Sequence, residues 1–484
     1  MKKHRVHFYT VFEYISKFWF ILIIPFLQQI VFLSYNITEI ISTLSMNILT
    51  LTVLIWICIL EYKNSFYRAG NRYFYVKKGL FIRKTALMPY NNIHFINVKN
   101  NFVPSLFGAV KLSLDIPSKS YNNSNIDITL DANRLNLTLK KMFPKEGLNL
   151  IYKGETLKMI ITAASWSNPA TGLLIAVPFV SKAGKILSQE LSDNFYETIN
   201  IGIRFLAIGI PPIAAGIAYI MLFGWTIAFL VMLLRYANFK VLKKDDDIVI
   251  KRGLINKRHQ IMSIGDINAI SIKQTLLMRF LRLYTTYINA IGIGKEKGEQ
   301  RMLIAASSKR ELRLYLNKIL DFKLIDKKRI IPPKNAFWSY IRSPAIAIML
   351  LFSVFLFVFL FFGYYIKLIV FLTVFLFVFL LWWLMVRIIA YKDAGLSICG
   401  NSILISSYRR LSLTSSVILL DKLQYILISQ NPIQRFSKLC NAKVYFFSET
   451  VDYFKVKQLP LRDVENLVES LENFKIVDKK SDSL

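Results

Sequence analysis

The chain is poor in acidic residues, cysteine and histidine, and each shortage narrows what it does. Only 30 Asp and Glu stand against 62 Lys and Arg, a net charge of +32 over 484 residues. Such a surplus calls for an anionic partner, and the long apolar runs beside it point to a phospholipid surface rather than nucleic acid. Three cysteines, Cys58, Cys399 and Cys440, form no CxxC pair, so neither a disulfide framework nor a zinc site is expected. Four histidines, His4, His7, His94 and His259, are scattered too widely for a metal site, and His4 and His7 read as an interfacial basic pair. No GxSxG elbow, HExxH helix or pair of carboxylates within an apolar run occurs. Almost no ionisable residue interrupts those runs, and Arg204 near one end can snorkel to the surface. A pump or ion-driven transporter needs charges at mid-membrane. The chain is therefore expected to be non-enzymatic and to carry no cofactor or metal.

What is abundant is apolar sequence: 54% of residues are hydrophobic and mean hydropathy is +0.42. The excess gathers in long runs, as bilayer spans require. Six spans are expected in three hairpins: 18–34 with 46–60, 199–219 with 221–234, and 345–362 with 368–385. The middle hairpin contains Pro211, Pro212 and several glycines, so a kink or partial insertion is expected there. The segment 158–185 has short apolar runs broken by Ser-Asn-Pro and reads as interfacial or re-entrant. The basic, then apolar, start MKKHRVHFYT shows no small-residue cleavage site after it and reads as retained. Lys and Arg crowd the N-terminus and the long regions after each hairpin, while the short connectors hold only Lys367. The positive-inside rule then places both termini and all three large regions in the cytoplasm of a multi-pass cell-membrane protein.

Those three regions repeat one another. KKGLFIRK at 77–84 returns as KRGLINKR at 251–258, with Gly79 matching Gly253 and every basic position kept. The frame then holds without a gap. Ile93, Ile96, Val98 and Leu106 correspond to Ile267, Ile270, Ile272 and Phe280, and to Leu423, Ile426, Ile428 and Phe436. Alternating apolar residues in YFYVKKGLFI, VKLSLDI and NIDITL, and in their counterparts, predict β-strands. An amphipathic helix is predicted to end each copy, at 133–143, 309–320 and 461–474. Ser308 and Glu311 are placed to make a capping box. The expected fold is membrane helical hairpins plus α+β. Segment 1–61 holds the first hairpin and 62–145 the first domain. A linker follows at 146–198, then a hairpin at 199–236 and a domain at 237–325. The last hairpin and domain occupy 326–390 and 391–484.

The alternation of hairpins with basic-Gly-Leu turns and Ile-x-x-Ile-x-Val strands resembles the bacterial pleckstrin-homology-like membrane proteins of the YdbS/YdbT type. His4-Arg5-Val6-His7 before a run containing Pro25 resembles the start of their three-domain members, with Phe8 standing where proline is usual. The third copy departs, with SSYRRL in place of the glycine-containing basic turn. The resemblance implies three PH-like small antiparallel barrels or sheets, each closed by a C-terminal helix. It also implies protection against membrane-active antimicrobial peptides, of the bacteriocin resistance or immunity type. A membrane scaffold is the alternative, and a transporter a second one.

The best candidate site is the pair of basic turns: Lys77, Lys78, Arg83 and Lys84, with Lys251, Arg252, Lys257 and Arg258. Basic residues flanking a turn can converge on a phosphate or lipid headgroup. Three partners remain open: general attraction to the anionic inner leaflet, a discrete headgroup pocket, or an anionic face of a membrane protein. The glycine-rich IGIGKEKG at 291–298 lies between two strands and reads as a hairpin turn rather than a nucleotide loop.

Overall fold

In the computed structural model, the described residues are 3–18, 37–80, 82–115, 125–143, 147–168, 212–290, 302–320, 329–361, 366–409, 412–447 and 452–481. The chain begins with β1 (His4–Arg5), α1 (Thr10–Phe18) and the long apolar α2 (Ile37–Asn64). The first repeat follows as β2 (Phe66–Ala69), β3 (Tyr73–Lys78), β4 (Lys84–Pro89), β5 (Phe95–Asn100), α3 (Phe102–Leu106), β6 (Ala109–Asp115), β7 (Asn125–Asp131) and α4 (Ala132–Met142). β8 (Asn149–Lys153), α5 (Thr156–Trp166) and α6 (Pro212–Tyr236) lead to the second repeat. That repeat contains β9 (Lys240–Lys244), β10 (Asp247–Arg252), β11 (Lys257–Ser263), β12 (Ile267–Gln274), α7 (Leu276–Phe280), β13 (Tyr284–Ala290), β14 (Met302–Ser307) and α8 (Lys309–Leu320). The helices α9 (Phe337–Phe361) and α10 (Ile366–Asp393) precede the third repeat. Its elements are β15 (Gly395–Cys399), β16 (Ser402–Arg409), β17 (Ser412–Leu419), β18 (Leu423–Ser429), α11 (Pro432–Phe436), β19 (Leu439–Phe446), β20 (Asp452–Pro460) and α12 (Leu461–Ser481).

The chain divides into two compact units, Met1–Leu150 with Leu242–Ser263, and Ile151–Val241 with Ile264–Leu484. The second repeat is split between them. In the first unit β1-β2-β3-β4 form one sheet, while β7-β6-β5-β11-β10 run side by side in another. The β10–β11 hairpin of repeat two thus completes the sheet of repeat one, through an antiparallel pairing of β11 with β5. The second unit repeats the device: β12 pairs with β17, giving the order β14-β13-β12-β17-β16-β15 beside a sheet of β18-β19-β20. The three repeats are not three separate sheets. A shared strand is covered on both faces, which is why β12 is buried at seven of its eight positions, including Asn268 and Ser271.

Each unit has its own apolar core. In the first, Val6, Tyr67, Phe74, Val76 and Met88 meet Ile96, Val98, Leu112, Leu114, Ile128 and Leu130, with Leu135 and Leu139 of α4. Val249 and Ile261 of repeat two belong to this same cluster. The second core joins Leu396, Ile403, Ile405 and Ile418 to Val444, Phe446 and Val456, with Val464, Leu467 and Leu471 of α12. Helix starts follow the expected chemistry. The Asp131 side chain accepts from Asn133 N at 2.8 Å, and Ser308 and Glu311 cap α8 reciprocally at 2.9 and 3.4 Å.

Among the described residues three helices are long and apolar enough to cross a membrane, at Ser45–Asn64, Lys334–Phe361 and Ile369–Asp393, and Ile220–Tyr236 is a shorter apolar helix. The expected break of the middle hairpin at residue 220 is corrected: α6 runs unbroken from Pro212 to Tyr236. Tyr219-Ile220-Met221 contains nothing to stop a helix, whereas proline is tolerated in a first turn. The connector expected at 35–45 is likewise helical from Ile37, since 37–45 holds neither Gly nor Pro. The third hairpin extends outward at both ends, over Phe337–Phe361 and Ile366–Asp393. Of the segment 158–185, the beginning lies in α5, and 169–185 falls outside the described residues. So do 199–211, nearly all of the first expected span, and the turn at 291–298.

Candidate functional site: a cationic row on a shared sheet

The two basic turns are one backbone structure used twice. Gly79 has φ +100° and Gly253 has φ +98°. A Cβ on Gly79 would lie 2.0 Å from the Ile82 carbonyl oxygen, and one on Gly253 would lie 2.1 Å from that of Asn256. Only glycine fits both the dihedral and the space. The Asn256 side-chain oxygen accepts from Phe102 N at 3.0 Å, seating the second turn against the start of α3.

The pleat divides the eight basic residues that the turns carry. Lys78 faces Lys84 across β3 and β4, on the side that carries Phe74 and Val76 into the core, while Lys77 faces Thr85 on the other side. Lys77 lies 5.7 Å from the Phe66 ring centroid, and Arg83 and Lys84 are exposed. In the second turn Arg252 faces Arg258, and Lys251 faces His259 on the opposite surface, as Lys257 does Asn100. Lys251 and Lys257 therefore point away from Arg252 and Arg258.

Register carries the Arg252–Arg258 pair into a longer row. Arg258 lies opposite Lys99, Lys99 opposite Lys111, and Lys111 opposite Thr129. Residues directly opposite in antiparallel strands share a face, and neighbouring strands are about 4.8 Å apart. Four cations, Arg252, Arg258, Lys99 and Lys111, thus stand on four consecutive strands of one sheet face. Arg252 and Lys99 are buried, and Arg258 and Lys111 half-buried. In the adjoining row Ile250 of β10 is followed by the polar Gln260, Asn97, Ser113 and Asp127.

Two carboxylates temper this face. Lys111 Nζ is 2.9 Å from Asp127 Oδ2, and Thr129 Oγ1 donates to Glu13 Oε2 at 2.8 Å. Burial pushes the Asp127 carboxyl up, but Lys111, a Ser113 hydrogen bond and Lys99 outweigh it and hold it below its ordinary value. Lys78 lies within reach of the same group. Burial pulls its ammonium down to about 8, Asp127 and Glu13 oppose that fall, and Lys111 and Lys17 add to it. Lys78 is there because the core face of β3 continues one residue beyond the core.

The second shared sheet has the same geometry with different chemistry. Ser407, Thr414, Lys273 and Thr285 occupy the equivalent row, and the Lys273 ammonium sits 4.3 Å from the Tyr287 ring centroid. The cationic row is a property of the first shared sheet. Lys99 and Lys111 are functional candidates that the turn motif alone does not reveal. Their signal is the alternation in NVKN and AVKLSLD, which places each lysine opposite the core face. Among the described residues no group of three or more His, Cys, Asp or Glu is arranged to hold a metal, and the three cysteines are free and buried.

A sequence model described as "Bacterial PH domain" matches three times, over residues 20–139, 201–319 and 347–475. The chain belongs to the bacterial PH domain family. Each match ends inside the helix that follows a repeat, α4, α8 or α12. The "UPF0699 transmembrane protein YdbT" of Bacillus subtilis (strain 168) is similar, at 24% identity over 442 residues, covering 84% of this chain and 83% of that protein. In this bacterial PH protein the family's repeats are joined strand to strand, and a row of cations runs across the first junction.

Proposed function

We propose that the chain is a non-enzymatic, multi-pass platform of the cell membrane that holds anionic phospholipid headgroups on its cytoplasmic side. The observation that carries this reading is the row Arg252–Arg258–Lys99–Lys111, four cations at sheet spacing on one face. Phosphate oxygens match guanidinium and ammonium donors, and a phosphate group is of a size to lie between neighbouring members of such a row. Lys78, Arg83, Lys84 and Lys257 at the turns add to the field that draws an anion in, each cation near a charged leaflet contributing on the order of 1 kcal/mol. Cytoplasmic termini and PH-like repeats follow from the Lys and Arg bias of the flanking segments, and the helix after each repeat closes it. Repeats joined through shared sheets suit a scaffold, which a membrane protein partner with an anionic face would also use. Protection against membrane-active peptides rests on the family resemblance alone, because no residue of this geometry singles out a peptide.

The test is binding of fluorescent phosphatidylglycerol and phosphatidylcholine to the purified full chain in neutral detergent, with inorganic phosphate as competitor. Preference for phosphatidylglycerol, weakened by salt and by Lys99→Gln with Lys111→Gln, is expected. Competition by millimolar phosphate alone would reassign the row to free phosphate, and equal binding of both lipids would overturn the reading.

A further inference from the structure

Each repeat interrupts its second sheet with one helical turn: α3, α7 and α11. All three begin after a polar N-cap residue, Asn101, Thr275 or Asn431. All three end two residues before a left-handed position, Gly108 at φ +71°, Arg282 at +55° and Lys438 at +50°. The last helical residue is apolar each time, and it is turned outward: Leu106 is 67% exposed, Phe280 85% and Phe436 91%. Phe102, Val103 and Phe107 join the first tip, Leu277 and Leu281 the second, and Ile433 the third, all exposed. Scattered exposed apolar residues need no explanation, but the same one in three diverged copies does.

What lies beside each tip identifies what covers it. The Arg279 guanidinium next to Phe280 forms a two-pronged ion pair with Asp393, the last residue of the apolar helix α10. Beside Phe436, Gln434 and Asn441 exchange amide bonds of 3.1 and 3.0 Å, and Asn441 Oδ1 also accepts from Gln458 N at 3.2 Å. Gln458 Nε2 in turn donates to Ser339 Oγ at 2.7 Å, in the first turn of α9. The first tip reaches α1, where Phe107 stacks with Phe12 at 6.1 Å and lies 5.8 Å from Tyr9. Helix α1 packs on the last turns of α2 through Val11, Tyr14, Leu54 and Cys58. The second and third tips are therefore tied to the ends of α10 and α9 that meet the repeats, and the first reaches α2 through α1. Cations adjoin two of them, Arg279 and Arg282, and Arg435 and Lys438; Lys17 follows on α1.

We propose that Leu106, Phe280 and Phe436 are interfacial anchors that insert into the boundary between headgroups and acyl chains of the leaflet where those helices emerge. Exposed aromatic and aliphatic side chains with cations alongside have the composition of a segment lying in that zone, buried about 5–10 Å. The ion pair at the second tip, the amide chain at the third and the ring contacts with α1 at the first hold the tips in place. The anchors fix how the sheets stand on the membrane, independently of which anion the cationic row takes. The inference requires that α2, α9 and α10 span.

Spin labels at Leu106→Cys, Phe280→Cys and Phe436→Cys, in the full chain in phosphatidylglycerol and phosphatidylcholine vesicles, test it by relaxation with oxygen and with an aqueous nickel chelate. Leu314→Cys, exposed on α8, and Phe357→Cys, exposed on α9, are the aqueous and lipid references. The unsubstituted protein gives the background from its buried cysteines. At the tips the oxygen-to-nickel ratio should exceed that at Leu314→Cys by about tenfold, in the direction of Phe357→Cys. Tips as open to nickel as Leu314→Cys, or shielded from both reagents by protein, overturn the anchors while leaving the spans intact. A nickel-accessible Phe357→Cys would overturn the spans and the anchors together.

Discussion

Gly253 shows how a single residue sets the site. Its φ of +98° and the 2.1 Å from its missing Cβ to the Asn256 carbonyl leave no room for alanine. Gly108 also has a positive φ, +71°, but nothing lies within 4 Å of its Cβ position. Gly108→Ala should therefore cost about 1 kcal/mol of backbone strain and Gly253→Ala about 3 kcal/mol or more. Thermal unfolding of the two variants in one detergent should rank them so, and equal midpoints would contradict the shared-turn geometry. Within the candidate site, burial acts against the charge of Lys78. Its ammonium is disfavoured in the fold, so this group's cost to stability is complete below about pH 8 and is relieved as pH climbs toward the ordinary 10.5. Anion binding runs the other way: raising pH from about 7 to about 9 should weaken phosphatidylglycerol binding by about fivefold, and Lys78→Gln should remove that dependence. A flat wild-type profile would take Lys78 out of the site.

At the scale of elements, the buried polar contacts say how strands are held. Tyr152 of β8 donates to the Ala306 carbonyl at 2.7 Å and accepts from Ala306 N at 3.1 Å, so one hydroxyl satisfies both backbone groups of a residue in β14. Tyr152→Phe should lower stability by about 1–3 kcal/mol, read as a fall in the unfolding midpoint, because both groups lose their partner without gaining water. An unchanged midpoint would mean that water reaches Ala306. These contacts are illegible in sequence. The alternation in β3, β6 and β7 was readable, and so was the stripe Leu312, Leu316 and Ile319 of α8, because a period shows which face is apolar. A period does not show which strand lies alongside. The pairings of β11 with β5 and β12 with β17 therefore have no signal in the sequence. The same alternation places Lys99 and Lys111 opposite the core face, but their meeting with Arg258 exists only once the sheets are joined. Residue 220 lies inside one helix, Pro212–Tyr236, and a continuous apolar run carries no mark that shows this.

For the whole molecule, shared strands make the repeats interdependent. Segment 237–325 expressed alone lacks β5 beside β11 and β17 beside β12. It should show little protection in amide exchange, whereas the full chain protects both strands; a stably folded fragment would show that the sharing is dispensable. The two junctions differ in charge: the first carries the cationic row, and the second holds Lys273 among Ser407, Thr414 and Thr285. The most direct measurement of the central claim is native mass spectrometry of the full chain released from bilayers of equal phosphatidylglycerol and phosphatidylcholine, beside a Lys99→Gln, Lys111→Gln, Arg258→Gln variant. Retained phosphatidylglycerol on the wild type, lost from the variant while the apolar helices keep their phosphatidylcholine, is the predicted result. Identical lipid adducts on both proteins would contradict a headgroup site on the shared sheet.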